Sequence, residues 1–197
     1  MLVTEILPFK KSRSKVLTDG DFAFVLYNGE LKKLRISEGV EITEEKLNGT
    51  ILPLLNRRAR ERVVYLLKDM DKTEAELKRK LREACYPESC IEAAVSWARE
   101  KHYVDDERFA SGYAEYHSAG KSRKKLLYDM ILKGVPREIA EKTLEAKPVD
   151  EEEQIRRELA KRRYDPETAD IDAKRKMTAF LARKGYSWDM IGHILNR

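Results

Sequence analysis

The chain has 197 residues, with 40 Lys or Arg against 35 Asp or Glu and a formal net charge of +5. Charged residues reach 38% and Gly (9) and Pro (6) are few, where an average globular chain is about 25% charged; this argues against collagen-like, linker-like and turn-rich β architectures. A hydrophobic content of 42% argues against wholesale disorder, and no apolar run approaches the roughly 20 residues that span a bilayer.

The N-terminus begins apolar and turns basic at Lys10-Lys11. A secretory signal has the opposite order. Cys85 and Cys90 are the two cysteines, too few for a disulfide scaffold, so a reducing cytoplasm is expected. The pI near 9.0 permits contact with nucleic acid or with an acidic protein surface.

Leu2–Leu7 has strand character, and Asp19-Gly20 signals a turn before Phe22-Ala23-Phe24-Val25-Leu26-Tyr27. Asn28-Gly29 reads as a two-residue hairpin turn, with Leu31, Leu34 and Ile36 continuing the extended pattern. Residues 1–42 are thus predicted as a small β hairpin or meander, which needs a helix to pack against. Thr43 followed by Glu44-Glu45 marks a helix start. Pro53 is expected to limit or kink that helix.

Beyond residue 56 the pattern is helical and it repeats. Leu77–Val95, Leu126–Leu144 and Met177–Leu195 align without gaps at offsets of 49 and 51 residues. Five apolar columns result: Leu77, Leu126, Met177; Leu81, Met130, Leu181; Tyr86, Val135, Tyr186; Ile91, Ala140, Ile191; Val95, Leu144, Leu195. The first two columns are four apart and share a helix face, as do the last two. Gly134 and Gly185, with Cys85 in the first copy, precede the third column, where a left-handed residue ends a helix. Pro87, Pro136 and Ser187 then open the next helix, as first-turn prolines and a Ser cap.

One more helix precedes each pair: Arg58–Lys68, Asp106–Tyr116 and Glu151–Arg162. A third helix gives each pair a small core. The predicted fold is mainly α. Three tandem three-helix, helix-turn-helix-like repeats (56–104, 105–147, 148–197) form an elongated array behind an N-terminal β-containing segment (1–55).

Tyr103-Val104-Asp105-Asp106-Glu107-Arg108-Phe109-Ala110 resembles the entry to the middle unit of the RecX family. Lys133-Gly134-Val135 with Ile139, Arg183-Lys184-Gly185-Tyr186 with Ile191, and Thr73-Glu74-Ala75-Glu76-Leu77 with Leu81 resemble its other turns and helix starts. The likeness covers residues 57–197. His102 stands where the family usually has Gly, and Cys85-Tyr86 replaces a Gly-containing turn. The resemblance implies a regulator of the bacterial recombinase RecA that lies in the groove of the RecA–DNA filament. Such a protein suppresses strand exchange and ATP hydrolysis.

No catalytic constellation, phosphate loop or paired metal motif is present in the sequence, so neither enzymatic activity nor a cofactor is expected. His102, His117 and His193 lie far apart. Cys85 and Cys90 read as small hydrophobes. Asp105-Asp106-Glu107 reads as a helix start facing the positive end of the dipole. Trp97, Tyr113 and Tyr116 read as packing residues, and Trp188 as exposed.

Basic clusters are the positive signal. Lys121, Arg123, Lys124 and Lys125 are expected to open the middle unit's second helix, with Lys174, Arg175 and Lys176 in the equivalent place of the third. Lys78, Arg79, Lys80 and Arg82 follow in the first. Cations at a helix N-terminus oppose the dipole, so local stability does not account for them. Lys78, Arg79, Lys121, Arg123, Lys124, Lys125, Lys174, Arg175, Lys176, Arg183 and Lys184 are the candidate contacts to filament or DNA. The expected partner is the RecA filament on single-stranded DNA, met by a monomer. Direct nucleic-acid binding is the second reading, a helical scaffold for another partner the third. Against direct groove reading, the helices after the turns carry Glu88, Glu92, Glu138, Glu141 and Asp189.

Overall fold

The computed structural model describes residues 1–20 and 22–195. Strands β1 (Val3–Pro8), β2 (Arg13–Thr18) and β3 (Ala23–Tyr27) form an antiparallel meander in the order β1-β2-β3. Alternate residues Val16 and Thr18 on β2 are buried, the period of two of a one-sided sheet, whereas on β3 Phe24, Val25 and Leu26 are all buried. Asp19 secures the β2–β3 end by accepting the Leu2 amide at 3.0 Å.

Asn28-Gly29 does not make a hairpin. It begins helix α1 (Asn28–Leu34). Glu30 accepts the Tyr27 amide at 2.9 Å, an N-terminal cap that outweighs the turn preference of the dipeptide. Leu31 and Leu34, read as extended, lie three apart on one helical face, and Leu31 is buried.

Thr43 caps α2 (Glu44–Lys46), its Oγ1 accepting the Lys46 amide at 3.2 Å. The helix continues through a π-helical turn (Leu47–Ile51) into α3 (Leu52–Leu67). Pro53 is the cause: it has no amide to donate and its ring crowds the carbonyl four residues back, so the turn before it widens. Then come α4 (Glu74–Glu83), α5 (Glu88–Glu100), α6 (Asp106–His117), α7 (Arg123–Leu132), α8 (Arg137–Ala146), α9 (Glu151–Lys161), α10 (Ile171–Arg183) and α11 (Trp188–Leu195).

The chain forms two compact units, Met1–Asp105 and Asp106–Arg197. In the first, one core runs from Val3 and Phe24 of the sheet through Leu55, Ala59 and Val63 of α3 to Leu77, Leu81 and Ile91. The sheet therefore buries its apolar face against the first helical trio. The second unit has one core in α6–α8, built on Ala110, Leu126, Met130 and Leu144. It has another in α9–α11, built on Ile155, Leu181, Tyr186 and Ile191. Of the fifteen column residues, all but Tyr86 are buried.

The turn after the middle helix of each trio has the same hydrogen bonds. Tyr86 donates to the Leu81 carbonyl (3.2 Å), Val135 to Met130 (3.0 Å) and Tyr186 to Leu181 (3.3 Å). Cys85, Gly134 and Gly185 donate one residue further on, to Arg82, Ile131 and Ala182. These are Schellman caps, and each needs a left-handed residue. Cys85 has φ 57°, Gly134 89° and Gly185 95°. His102 (φ 55°) ends α5 in the same way, Tyr103 donating to Ala98 at 2.8 Å. Pro87 and Pro136 stand at the N-cap rather than in the first turn. Ser187 caps α11 by accepting the Met190 amide at 3.3 Å.

A side chain in the left-handed region costs about 1 kcal/mol. C85G and H102G are therefore expected to stabilise the protein by about 0.5–1 kcal/mol each in denaturant unfolding. G185A adds that strain and puts a Cβ 2.6 Å from Ser122 Oγ. It is expected to destabilise by about 2 kcal/mol, since displacing the Ser122 hydroxyl also removes a helix cap.

Candidate functional site

The candidate cations fall into two groups, those held by acids of their own repeat and those left to solvent. On α4 they are held. Lys78 pairs with Glu92 at 2.7 Å, Arg79 with Glu83 at 3.3 Å and Lys80 with Glu83 at 2.9 Å. Arg82 is joined to Glu88. The acids on α5 that argue against a phosphate-facing role are thus bound to α4.

On α7, Ser122 is the N-cap, its Oγ accepting the Lys125 amide at 3.2 Å. Arg123, Lys124 and Lys125 therefore occupy the first turn, as the sequence predicts. Lys121 (2.8 Å) and Lys125 (2.7 Å) converge on the Asp129 carboxylate, and Lys121 also donates to Tyr113 Oη at 2.8 Å. Burial works against the charged Asp129, but the hydrogen bonds from Lys121 and Lys125 outweigh it, and its carboxyl lies below the usual range. These two lysines are engaged in holding repeat 2 together. Arg123 and Lys124 are exposed and make no ion pair among the described residues.

The cluster on α10 departs from expectation. Asp170 is the cap, accepting the Ala173 amide at 2.7 Å, so Lys174, Arg175 and Lys176 begin in the second turn. The dipole argument therefore holds for α7 and not for α10, because the helix-end field fades beyond the first turn. Arg175 sits 3.9 Å from Asp172. At the other end of α10, Arg183 is exposed, whereas Lys184 pairs with Glu158 at 2.9 Å. Lys176 and Lys184 are eight residues apart, about 12 Å along the helix, so α10 presents its basic residues at two separate places.

The free cations of α7 meet the α10–α11 turn. A groove of about 690 Å³ is lined by the cations Arg123 and Lys124, the acids Glu151 and Asp189, and Leu127, Tyr186 and Trp188. Trp188 is 68% exposed, in line with the sequence. A polar seam fixes the two sides. Ser122 Oγ donates to the Lys184 carbonyl at 2.8 Å, and Glu151 accepts the Arg123 amide at 2.7 Å. Gln154, buried, donates to the Ser118 and Lys121 carbonyls and accepts from the Tyr186 hydroxyl at 2.9 Å. Burial, then the charges of Glu158 and Glu151, push the Tyr186 phenol up to about 12. Gln154 is absent from the sequence prediction. Its one signal is a polar residue adjoining the apolar stripe of α9, which is indistinguishable from a helix boundary without the partner repeat.

Tyr116 does not enter the core; it is 82% exposed and lies edge-on to His117 at 4.9 Å. Trp97 lies edge-on to Tyr103 at 5.3 Å, and Tyr113 serves the Lys121–Asp129 cluster. Among the described residues no group of three or more His, Cys, Asp or Glu is placed to hold a metal ion. No described helix is long and apolar enough to cross a membrane.

Fold and surface together define a tandem-repeat protein of three-helix units with a polar, Trp-bearing groove on its second unit. Three family models match in chain order. The first three-helix domain of RecX covers residues 59–97, the second 105–144 and the third 150–195. The regulatory protein RecX of Clostridium acetobutylicum is 30% identical over 193 residues, 94% of this chain and 90% of the relative. That of Caldanaerobacter subterraneus subsp. tengcongensis is 30% identical over 199 residues, covering 100% and 99%. The chain belongs to the RecX family. Two solved structures share the fold. A crystal structure of regulatory protein RecX has a TM-score of 0.66 at 22% identity, covering 99% of this chain and 98% of that one. RecX from Lactobacillus salivarius has a TM-score of 0.62 at 20% identity, covering 73% and 96%.

Glu158, like Asp129, is held below its usual range: burial opposes its charge, and Lys184 and then Arg162 more than compensate. Both carboxyls titrate lower folded than unfolded, so their contribution is full above the unfolded value and is lost as pH falls through the folded one. Stability is therefore expected to fall on acidification from about pH 5, and less steeply in D129N and E158Q. Q154A leaves the Tyr186 hydroxyl and two carbonyls unpartnered. It is expected to cost about 1–3 kcal/mol in denaturant unfolding.

Proposed function

We propose that this protein is a non-enzymatic regulator that binds the RecA filament on single-stranded DNA and restrains strand exchange and ATP hydrolysis. The observation that carries the reading is likeness along nearly the whole chain to proteins named regulatory protein RecX. The physics agrees. Similar units in series make several weak contacts to a periodic assembly, which gives avidity without a catalytic step. The cations left to solvent, Arg123, Lys124, Lys174, Lys176 and Arg183, are the groups available to meet acidic protein or filament DNA. In this reading the protein acts in the cytoplasm as a monomer.

One observation favours a direct DNA component. Trp188 stands exposed beside Arg123 and Lys124, an aromatic face beside cations as single-strand binders use. The test is ATP hydrolysis and filament length of RecA on single-stranded DNA with this protein added. Inhibition is expected well below the concentration that coats bare DNA. Inhibition only where bare DNA is saturated would favour competition for DNA instead. R123E/K124E and K174E/R175E/K176E are each expected to weaken inhibition at least tenfold with the thermal midpoint nearly unchanged. Undiminished inhibition in both would remove these side chains from the interface.

A further inference from the structure

A basic concavity lies in the first unit. Arg57, Arg58 and Arg62 come from α3, and Arg13 enters from β2, paired in register with Tyr27 of β3. The α4–α5 turn closes the far side with Tyr86. The space is about 500 Å³, within the range of small-molecule sites. Its walls carry four guanidinium groups against the single carboxylate of Glu61.

Internal pairing accounts for only half of that charge. Arg58 is joined to Glu30 and lies over the Tyr27 ring at 4.5 Å. Arg57 is 3.7 Å from Glu61. Arg13 and Arg62 make no ion pair among the described residues. They rest instead near aromatic rings, Arg13 at 5.7 Å from Phe9 and 5.9 Å from Tyr27, Arg62 at 5.1 Å from Tyr65. Burial raises the Tyr86 phenol, and the charges of Arg58, Arg13 and Arg62 pull it back, so these three guanidiniums act on one point of the pocket.

Holding four like charges around one hollow opposes folding. A buried hydrophobic patch or a solvated helix face needs no such convergence from strand and helix. Guanidinium is the side chain whose planar donors fit phosphate oxygens two at a time. Two uncompensated guanidiniums, with two more beside them, suit a compact oxyanion of more than one negative charge. Arginines gathered around one hollow, rather than spaced along a track, favour a small polyanion over a polymer.

We propose that this pocket binds a compact polyphosphate, either inorganic or at the end of a free nucleotide. The site is independent of the filament reading and lies on other residues. The test is titration calorimetry of the full chain at low salt without divalent metal, using sodium pyrophosphate, ATP and an oligothymidine as separate probes. Saturable binding of pyrophosphate and ATP at one site per chain is expected. R13A/R62A should weaken it at least tenfold while leaving the thermal midpoint within a few degrees, since neither side chain is ion-paired. R123E/K124E should bind both as the parent does. R13K/R62K keeps the charge but loses the two-pronged donors, and should lose about threefold or more. Absence of saturable pyrophosphate and ATP binding would overturn the proposal, as would equal weakening by R123E/K124E. So would oligothymidine held by Arg13 and Arg62 while pyrophosphate and ATP fail to displace it.

Discussion

Each helical trio depends on one residue held in the left-handed region after its middle helix. The cap reverses the chain in the smallest number of residues. It also pairs the last carbonyls of the helix, which otherwise lack partners. The residue that follows, Tyr86, Val135 or Tyr186, donates to the carbonyl of a core leucine or methionine and packs toward the same core. One backbone geometry therefore sets both the turn and the first apolar contact of the next helix. Where Gly supplies it, the geometry carries no side-chain strain; where Cys85 supplies it in the first trio, a side chain occupies the left-handed region at a cost of about 1 kcal/mol.

Electrostatics sorts the basic side chains by task. Lys121, Lys125 and Lys184 sit on partly buried carboxylates, where removing one partner would strand the other. Arg123 and Lys124 project from the same helix start and make no ion pair among the described residues, although Glu151 and Asp189 line the same groove. The cations nearest Asp129 stabilise repeat 2, while Arg123 and Lys124 between them stay exposed. In the second unit the Gln154 seam holds the α7 start against the α10–α11 turn, so Arg123, Lys124 and Trp188 share one groove.

The helical repeat was legible because burial is periodic. Leu77, Leu81, Ile91 and Val95 recur at fixed offsets, and their partners fill equivalent cores. The glycine column was legible because Gly134 and Gly185 are what a left-handed position selects. Even His102, where the family resemblance leads one to expect Gly, takes a positive φ. Asn28-Gly29 misled because Glu30, one residue on, caps the Tyr27 amide, and local capping overrode the dipeptide's turn preference. Lys174, Arg175 and Lys176 were placed one turn too early because the offset of 51 aligned them with Arg123, while Asp170 starts α10 further upstream. Tyr116 shows the limit of helical spacing when the stripe is only wide enough for Ala110, Ala114 and Tyr113. The arginines of the first-unit pocket come from a strand and a helix far apart in sequence, so only the packing of the sheet on α3 brings them together.

The three caps are integral parts of their cores. Amide hydrogen exchange at Tyr86, Val135 and Tyr186 reads this directly. Protection comparable to the interior amides of α4, α7 and α10 is expected, because the cap opens only when its trio does. Exchange at the rate of a frayed helix end, with those interior amides still protected, would contradict it.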